Sequence, residues 1–241
     1  MKLLSLECSA GPASVAVSEG GRILAECYTN VKLTHSETLL PMVQNALSSA
    51  RIGMGEIDGF AVACGPGSFT GVRIGVAALK GMAWAAEKPC AAVSSLEGMA
   101  LLQSGCKGVI VAAMDARCHQ VYNALFYADG EGVCRLTPDR ALLLEELSAE
   151  LAELAAGAYG AADFIFCGDG AQLAFAAAGV ERKRLAPAHL RYQRAAGVAL
   201  AAERLFATGN TVEARALMPL YLRLPQAERE LRAKQAAGSD G

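Results

Sequence analysis

A single pattern of strands and turns occurs twice in this sequence, and it restricts the fold more than any other feature. In the first copy an apolar strand ends at Glu7, a second strand follows, and the turn at 19–21 leads into a third. In the second copy a strand ends at Asp115, another covers 121–127, and the turn at 129–132 leads into a third. One unit used twice predicts two similar lobes in which Glu7 and Asp115 are equivalent. Because sequence identity between the copies is weak, chance similarity of two three-strand units is the alternative.

Helices and strands alternate after each copy of this unit. Apolar residues at helical spacing predict helices over residues 36–50, 72–87, 94–103, 142–156, 171–178 and 195–208. Short apolar runs predict buried strands at 59–64, 90–93 and 164–167. Ser36 or Thr38 is expected to cap the first helix, with Pro41 in its first turn, where proline is tolerated. The alternation predicts an α/β fold whose mixed sheets are covered by helices.

The repeat also predicts the domain boundaries. Residues 1–106 form the expected first lobe and residues 107–224 the second, with the last helix packing back on the first lobe. The remaining residues, 225–241, are charged and rich in alanine and glycine, so we expect a flexible tail there.

Composition and charge narrow the class of protein. Hydrophobic residues make up 53% and charged residues 19%, which excludes a disordered chain. The net charge of −2 argues against a protein that binds nucleic acid by itself. Glu7 interrupts the N-terminal apolar run, so we expect no signal peptide and no membrane, and a cytoplasmic location. The eight scattered cysteines are then expected to be reduced.

A glycine-rich segment joins the 59–64 strand to the next helix. Glycines permit a close backbone approach, and Thr70 is a candidate helix cap. The segment lacks the Gly-Lys-Ser/Thr ending of a P-loop and the third glycine of a dinucleotide fingerprint. A phosphate-binding turn and a purely structural turn both remain open. The motif comprises Gly65, Pro66, Gly67, Ser68, Phe69, Thr70 and Gly71.

The longer string from Gly65 to Gly75 resembles the signature of the TsaB family. The resemblance extends in unbroken order from Met1 to about Arg223, and its other motifs are His35, Leu40-Pro41-Met42-Val43, Asp115-Ala116-Arg117 with Val121-Tyr122, and Tyr221-Leu222-Arg223. It implies the duplicated actin-like (ASKHA, ribonuclease-H-like) two-lobe fold, in agreement with the repeat. It also implies an accessory subunit in bacterial synthesis of threonylcarbamoyladenosine, the modified adenosine beside the anticodon of certain tRNAs.

The resemblance further implies that this chain is not an enzyme. The catalytic paralogue of the family holds a metal ion with two histidines, four residues apart on the helix after the same turn. Ser95 and Met99 occupy those places here, and neither suits such an ion. The histidines present, His35, His119 and His189, are not spaced for chelation. We therefore expect no metal, no catalytic residue and a catalytically degenerate relative of a threonylcarbamoyltransferase.

The nucleotide cleft of the fold is also expected to be degenerate. Actin-like ATPases place a glycine turn after the first strand of each lobe, so that backbone N–H groups approach phosphate. The corresponding turns here read Glu7-Cys8-Ser9 and Asp115-Ala116-Arg117, without glycine. A third segment, 168–170, is either a remnant adenosine loop or a turn that ends a strand. The expected cofactor is none, or ATP or ADP bound weakly, with candidate contacts at Glu7, Ser9, Asp115, Arg117, Gly168 and Asp169.

The helix predicted over 72–87 supplies a candidate partner surface. Gly75, Ala78, Met82 and Ala86 are expected to face the core. The opposite face would present Arg73, Val76, Lys80 and the only tryptophan, Trp84. A large aromatic beside Arg and Lys is typical of an interface anchor; a tryptophan covered by its own chain is the alternative.

The resemblance implies particular partners. They are the catalytic threonylcarbamoyltransferase paralogue, in a heterodimer, and a P-loop ATPase, with tRNA held only within the complex; a homodimer of the isolated chain is left open. The competing hypotheses are an active metalloprotease or acyltransferase, a nucleotide-binding, kinase-like enzyme of the same fold, and a free-standing nucleotide sensor.

Overall fold

The first sheet is built from the first strand unit and two later strands. The computed structural model describes residues 1–31 and 33–223; the predicted tail at 225–241 lies outside them. The strands are β1 (Lys2–Glu7), β2 (Ala13–Glu19), β3 (Arg22–Thr29), β4 (Gly59–Gly65) and β5 (Cys90–Ser94). Their order is β3-β2-β1-β4-β5; the β3–β2 and β2–β1 pairs are antiparallel, and the β1–β4 and β4–β5 pairs are parallel.

The second sheet repeats this arrangement. It contains β6 (Lys107–Arg117), β7 (Gln120–Asp129), β8 (Val133–Arg135), β10 (Phe164–Cys167) and β11 (Lys183–Leu185), with β9 (Arg140–Leu143) paired to β7. The order β8-β7-β6-β10-β11 matches the first sheet strand for strand, including every direction. The predicted duplication and the mixed-sheet α/β class are therefore confirmed.

Helices occupy the faces of both sheets. They are α1 (His35–Ala50), α2 (Phe69–Ala86), α3 (Ser95–Leu101), α4 (Leu144–Ala156), α5 (Ala171–Ala177), α6 (Ala188–Arg191) and α7 (Ala195–Ala207). Within the described ranges, no helix has both the length and the apolar character needed to cross a bilayer.

Three apolar clusters hold these elements in layers. One lies between the first sheet and helices α1 and α2. A second lies between the second sheet and helices α4 and α5. The third fills the centre, where α3 and α7 lie between the two sheets. Helix α7 belongs to the second half of the chain yet packs on strands of the first sheet and on α3.

Several local predictions were wrong. Ser36 and Thr38 lie inside α1, whose N-cap is Thr34, and Pro41 is in the second turn. Ser68, not Thr70, caps α2: the Ser68 hydroxyl accepts a hydrogen bond from the Gly71 amide at 3.3 Å. Strands β9 and β11 and helix α6 have only three or four residues each, too few for a periodic pattern to indicate them.

Candidate functional site

A cleft of about 540 Å³ opens between the lobes. The end of β6 and the segments that follow β1, β4 and β10 all contribute to its lining, because equivalent strand ends of the two sheets face each other. The structure brings several predicted residues together there: Ser9, Pro66, Gly67, Ser68, Phe69, Thr70, Asp115, Arg117 and Asp169. The predicted residues Glu7, Gly65, Gly71 and Gly168 adjoin the cleft but do not line it. Tyr122 and Tyr221-Leu222-Arg223, which the sequence indicated as family motifs but not as site residues, also line the cleft, together with Leu220, which the sequence did not indicate.

The two equivalent strand ends form the same kind of turn. The Glu7 carboxylate accepts a hydrogen bond from the Ser9 amide at 2.6 Å, and the Asp115 carboxylate accepts one from the Arg117 amide at 2.7 Å. The Arg117 guanidinium also pairs with Asp115, 3.1 Å away. Both carboxylates therefore fix a turn two residues ahead, which gives each a structural role.

Burial raises the pKa of two carboxyl groups near the cleft, those of Glu7 and Asp169. Glu7 is 1% exposed, and burial raises its pKa from 4.5 to about 7, while the hydrogen bonds from Ser9 lower it and the charge of Asp169 raises it. The pKa of Asp169 is raised mainly because protein atoms displace water from its carboxylate, although the residue as a whole is exposed. Gln193 donates a hydrogen bond to Asp169 at 2.7 Å and opposes that rise. Burial thus raises the pKa of the Glu7 carboxyl group to about 7.

Glu7→Gln is expected to stabilise the protein at pH 8 and to change little at pH 4.5. A carboxyl whose pKa is raised on folding destabilises the folded state above its unfolded pKa, so this destabilisation grows from about pH 4.5 to pH 7. A rise to about 7 corresponds to about 3 kcal/mol as an upper value. Urea unfolding at both pH values measures the effect, with the exposed Glu181→Gln as control. Equal pH dependence in wild type and Glu7→Gln would show that burial of Glu7 costs nothing.

The glycine-rich turn packs directly against the end of β1. A Cβ atom on Gly67 would lie 2.2 Å from the Ser9 carbonyl oxygen, and one on Gly71 would lie 2.2 Å from that of Cys8. These are backbone contacts that cannot yield, so only glycine fits at either position. The glycine-rich turn therefore lets α2 pack closely against the segment that follows β1. This close packing explains Gly67 and Gly71 without any ligand.

The residues in the metal-ligand register lie away from the cleft. Ser95 and Met99 of α3 are buried in the central layer, with Met99 only 1% exposed. Neither lines the cleft, and no group of three His, Cys, Asp or Glu side chains in the described part of the chain could hold a metal ion. A hydroxyl and a thioether in an apolar layer do not fit the metal of the catalytic paralogue.

The outward face of α2 differs from the prediction. Trp84 is 65% exposed, and Arg73 is also exposed, with its guanidinium 3.8 Å from the centre of the Phe69 ring. Val76 is 5% exposed and packs in the core, so its assignment to the exposed face is wrong. The Lys80 ammonium donates to the carbonyl oxygens of Arg215 at 2.7 Å and Leu217 at 3.4 Å. The surface of α2 therefore centres on Arg73, Ala77 and Trp84.

Comparisons with known proteins match this chain to proteins named for the threonylcarbamoyl modification of tRNA adenosine. A family model described as "TsaD: tRNA N6-adenosine threonylcarbamoyltransferase" matches residues 23–231. The tRNA threonylcarbamoyladenosine biosynthesis protein TsaB of Escherichia coli K12 is 31% identical over 98% of this chain and 100% of its own length. TsaB of Bacillus subtilis 168 is 34% identical over 61% of this chain and 64% of its own length.

The solved structures give the same result. YeaZ from Pseudomonas aeruginosa superposes with a TM-score of 0.78 and 29% identity, covering 92% of this chain and 99% of that chain. The architecture described above is thus shared with a protein of known structure over nearly its whole length.

Proposed function

The chain belongs to the TsaB family and has its duplicated actin-like fold, and on this basis we propose that it is a non-catalytic accessory subunit in the synthesis of threonylcarbamoyladenosine on tRNA. Its partner would be the catalytic threonylcarbamoyltransferase paralogue, and the pair would recruit a P-loop ATPase. The observation that carries the proposal is the burial of Ser95 and Met99, the residues in the metal-ligand register, in the apolar central layer.

The chemistry of the cleft supports a non-catalytic role. Glu7 and Asp115 each hold a turn through the amide two residues ahead, and Asp169 accepts a hydrogen bond from Gln193. Nucleophilic catalysis needs a nucleophile, a base and a group that orients the base. Among the residues that line the cleft, no histidine, cysteine or lysine accompanies these carboxylates. The purified chain is expected not to transfer threonylcarbamoyl to tRNA; turnover by the chain alone, abolished by a chelator, would refute this role.

Nucleotide binding by the isolated chain would be weak. The turns at Ser9 and Arg117 carry side chains where a close phosphate contact needs glycine. The side chain of Arg117 is 84% exposed, however, and could contact a phosphate group from the cleft rim. We therefore propose weak binding of ATP or ADP in the cleft and no tightly held cofactor. With a net charge of −2, the chain would contact tRNA only within the complex.

The proposed surface for the catalytic paralogue is the outward face of α2, next to α1. It presents Arg73, Ala77 and Trp84, and Leu40 on α1 is 51% exposed. A groove of about 520 Å³ runs beside Trp84, between the end of α2 and residues 211–215. An exposed tryptophan next to an apolar groove that Arg215 also lines matches the usual composition of an interface centre.

Trp84→Glu is expected to abolish co-purification of the catalytic paralogue while leaving the chain folded. Trp84 is exposed, so its loss changes folding stability little. An unpaired charge at the centre of an interface costs at least about 2 kcal/mol, or about 30-fold in affinity. Affinity purification from the native host, followed by mass spectrometry, measures the partner, and nucleoside analysis of tRNA measures the modification.

Leu173→Glu is the matched control for this experiment. Leu173 is an exposed leucine on α5, on the outer face of the second lobe, and its replacement should leave both readouts unchanged. Undiminished co-purification of the Trp84→Glu chain would exclude the α2 face as the interface. Absence of the paralogue from the wild-type purification would count against the accessory role itself.

A further inference from the structure

Residues 217–223, here called the strap, run along α2 from Lys80 to Phe69 and then across the cleft to the second lobe. The strap is anchored on the first lobe by the Leu220 amide, which donates to the Cys64 carbonyl oxygen at 2.7 Å. On the second lobe, the Arg223 guanidinium donates to the Ala116 carbonyl oxygen at 2.8 Å. Because Cys64 precedes the glycine-rich turn and Ala116 lies beside Arg117, the strap spans the cleft between the two lobes.

Aromatic contacts hold the middle of the strap. The Tyr221 ring stacks on Phe69 with centroids 4.7 Å apart, and the Arg73 side chain donates to the Tyr221 hydroxyl at 2.8 Å. At Gly65, whose φ is +122°, an added Cβ would lie 2.4 Å from the Leu220 carbonyl oxygen. Gly65 therefore leaves room for the strap, and the strap fills the space above the turn.

We propose that the strap is an autoinhibitory latch, which covers the phosphate side of the cleft in the free chain and must be displaced before a polyphosphate nucleotide can bind there. The strap bonds to Ala116, in one of the two turns whose backbone N–H groups a phosphate would have to reach, and it lines the same cleft as Ser9 and Arg117. The proposal rests on the weak nucleotide binding proposed above, and it adds a second cause for that weakness. It does not depend on the partner.

The latch also shares residues with the proposed partner surface. Phe69 and Arg73 contact Tyr221 of the strap, and Arg73 lies on the outward face of α2. Lys80 of the same helix binds the Leu217 carbonyl oxygen at the start of the strap. A partner that draws Arg73 into its own contacts removes the hydrogen bond to Tyr221. Partner binding would therefore loosen the latch and open the cleft.

The test uses the full chain and two variants that break different anchors. Leu220→Pro removes the amide that bonds to Cys64, and Tyr221→Ala removes the aromatic stack. Hydrogen exchange of the 216–223 peptide reports release of the strap, and titration calorimetry with MgATP at fixed salt reports access to the cleft. Met218→Ala is the matched control, since this strap side chain is 66% exposed.

Both variants should exchange faster in the strap and bind MgATP more tightly. If the strap is open in about one molecule in ten, full release improves the apparent affinity about tenfold, because only the open fraction binds. The two variants remove different groups, so a gain shared by both cannot come from the contact of one side chain with nucleotide. Met218→Ala should behave as wild type.

Three results would overturn the latch. If strap exchange is faster in the variants but all chains bind MgATP with equal, measurable affinity, the strap does not block the cleft. The proposal of weak nucleotide binding would then still stand. If no chain binds MgATP, both the latch and the weak nucleotide binding are refuted, while the proposed accessory role is unaffected. Unchanged strap exchange in both variants would show that these contacts do not hold the strap closed.

Discussion

Gly197→Ala is expected to destabilise the folded chain by about 3 kcal/mol or more, at the upper end of the usual cost of overpacking. Helices α3 and α7 meet in the central layer through glycines. A Cβ atom on Gly197 would lie 2.1 Å from the Gly98 carbonyl oxygen and 3.1 Å from Leu102 Cγ. A backbone carbonyl cannot rotate aside, so the two helices must separate. That movement would disturb the apolar cluster that joins both sheets.

Two other glycines provide matched controls. A Cβ atom on Gly98, in the same crossing, would meet its nearest atoms at 3.4 Å, an ordinary contact, so Gly98→Ala should be tolerated. Gly81 is an exposed residue of α2 with nothing within 4 Å, and Gly81→Ala should stabilise the chain by about 0.5–1 kcal/mol. Urea unfolding of the three variants measures these differences in the free energy of unfolding. Equal stability of Gly197→Ala and Gly98→Ala would mean that α3 and α7 are not packed as closely as described.

Val76→Glu is expected to prevent accumulation of folded protein. Val76 packs in the cluster between the first sheet and helices α1 and α2. A glutamate there loses the apolar packing and places a carboxyl group where no partner can reach it. Together these effects cost about 4 kcal/mol or more, a large part of the stability of a typical domain. Soluble yield and thermal unfolding measure the result.

The next residue along α2 is the control for this prediction. Ala77 is exposed, so Ala77→Glu should change stability by no more than about 0.5 kcal/mol. If the outward face of α2 binds the catalytic paralogue, Ala77→Glu should nevertheless weaken co-purification. A Val76→Glu chain as soluble and stable as Ala77→Glu would show that the helix is rotated relative to the core described above.

The repeat in the sequence predicted the topology because both copies contain their own strand-ending carboxylates and glycine turns. Strand ends at Glu7 and Asp115, followed by a second strand and a glycine turn, indicate the same three-strand unit without reference to distant contacts. The structure then places both carboxylates in the same kind of turn. Four of the predicted cleft residues, Ser9, Asp115, Arg117 and Asp169, lie at or just after the end of a strand, so the same pattern of strand ends points to them.

The phase of α2 could not be read from the sequence. Of the predicted core face, Gly75 is buried, whereas Ala78, Met82 and Ala86 are only half-buried. The buried residues of α2 are Gly71, Val72, Gly75, Val76, Leu79 and Ala83. This helix is apolar around most of its circumference, so the period of 3.6 residues does not single out one face. The positions of the charged residues Arg73 and Lys80 were the remaining indication of which face of α2 is exposed. Lys80, however, donates hydrogen bonds to two carbonyl oxygens instead of facing solvent.

The strap was also beyond prediction from periodicity. Its seven residues have neither helix nor strand pattern, and its anchors lie far away in sequence, at Cys64, Phe69 and Ala116. The resemblance drew attention to Tyr221-Leu222-Arg223 but gave no position for them. Irregular segments held by single long-range contacts leave no local signal.

Helix α7 has a consequence for the order in which the protein can be made. As a ribosome releases the chain from its N-terminus, β1 to β5 emerge first, yet α7, residues 195–207, covers the inner face of the sheet they form. Leu3, Ala61 and Val93 belong to the central cluster, which is complete only when α7 has been synthesised. Domains commonly complete folding in sequence during synthesis, but this first lobe must wait for the second.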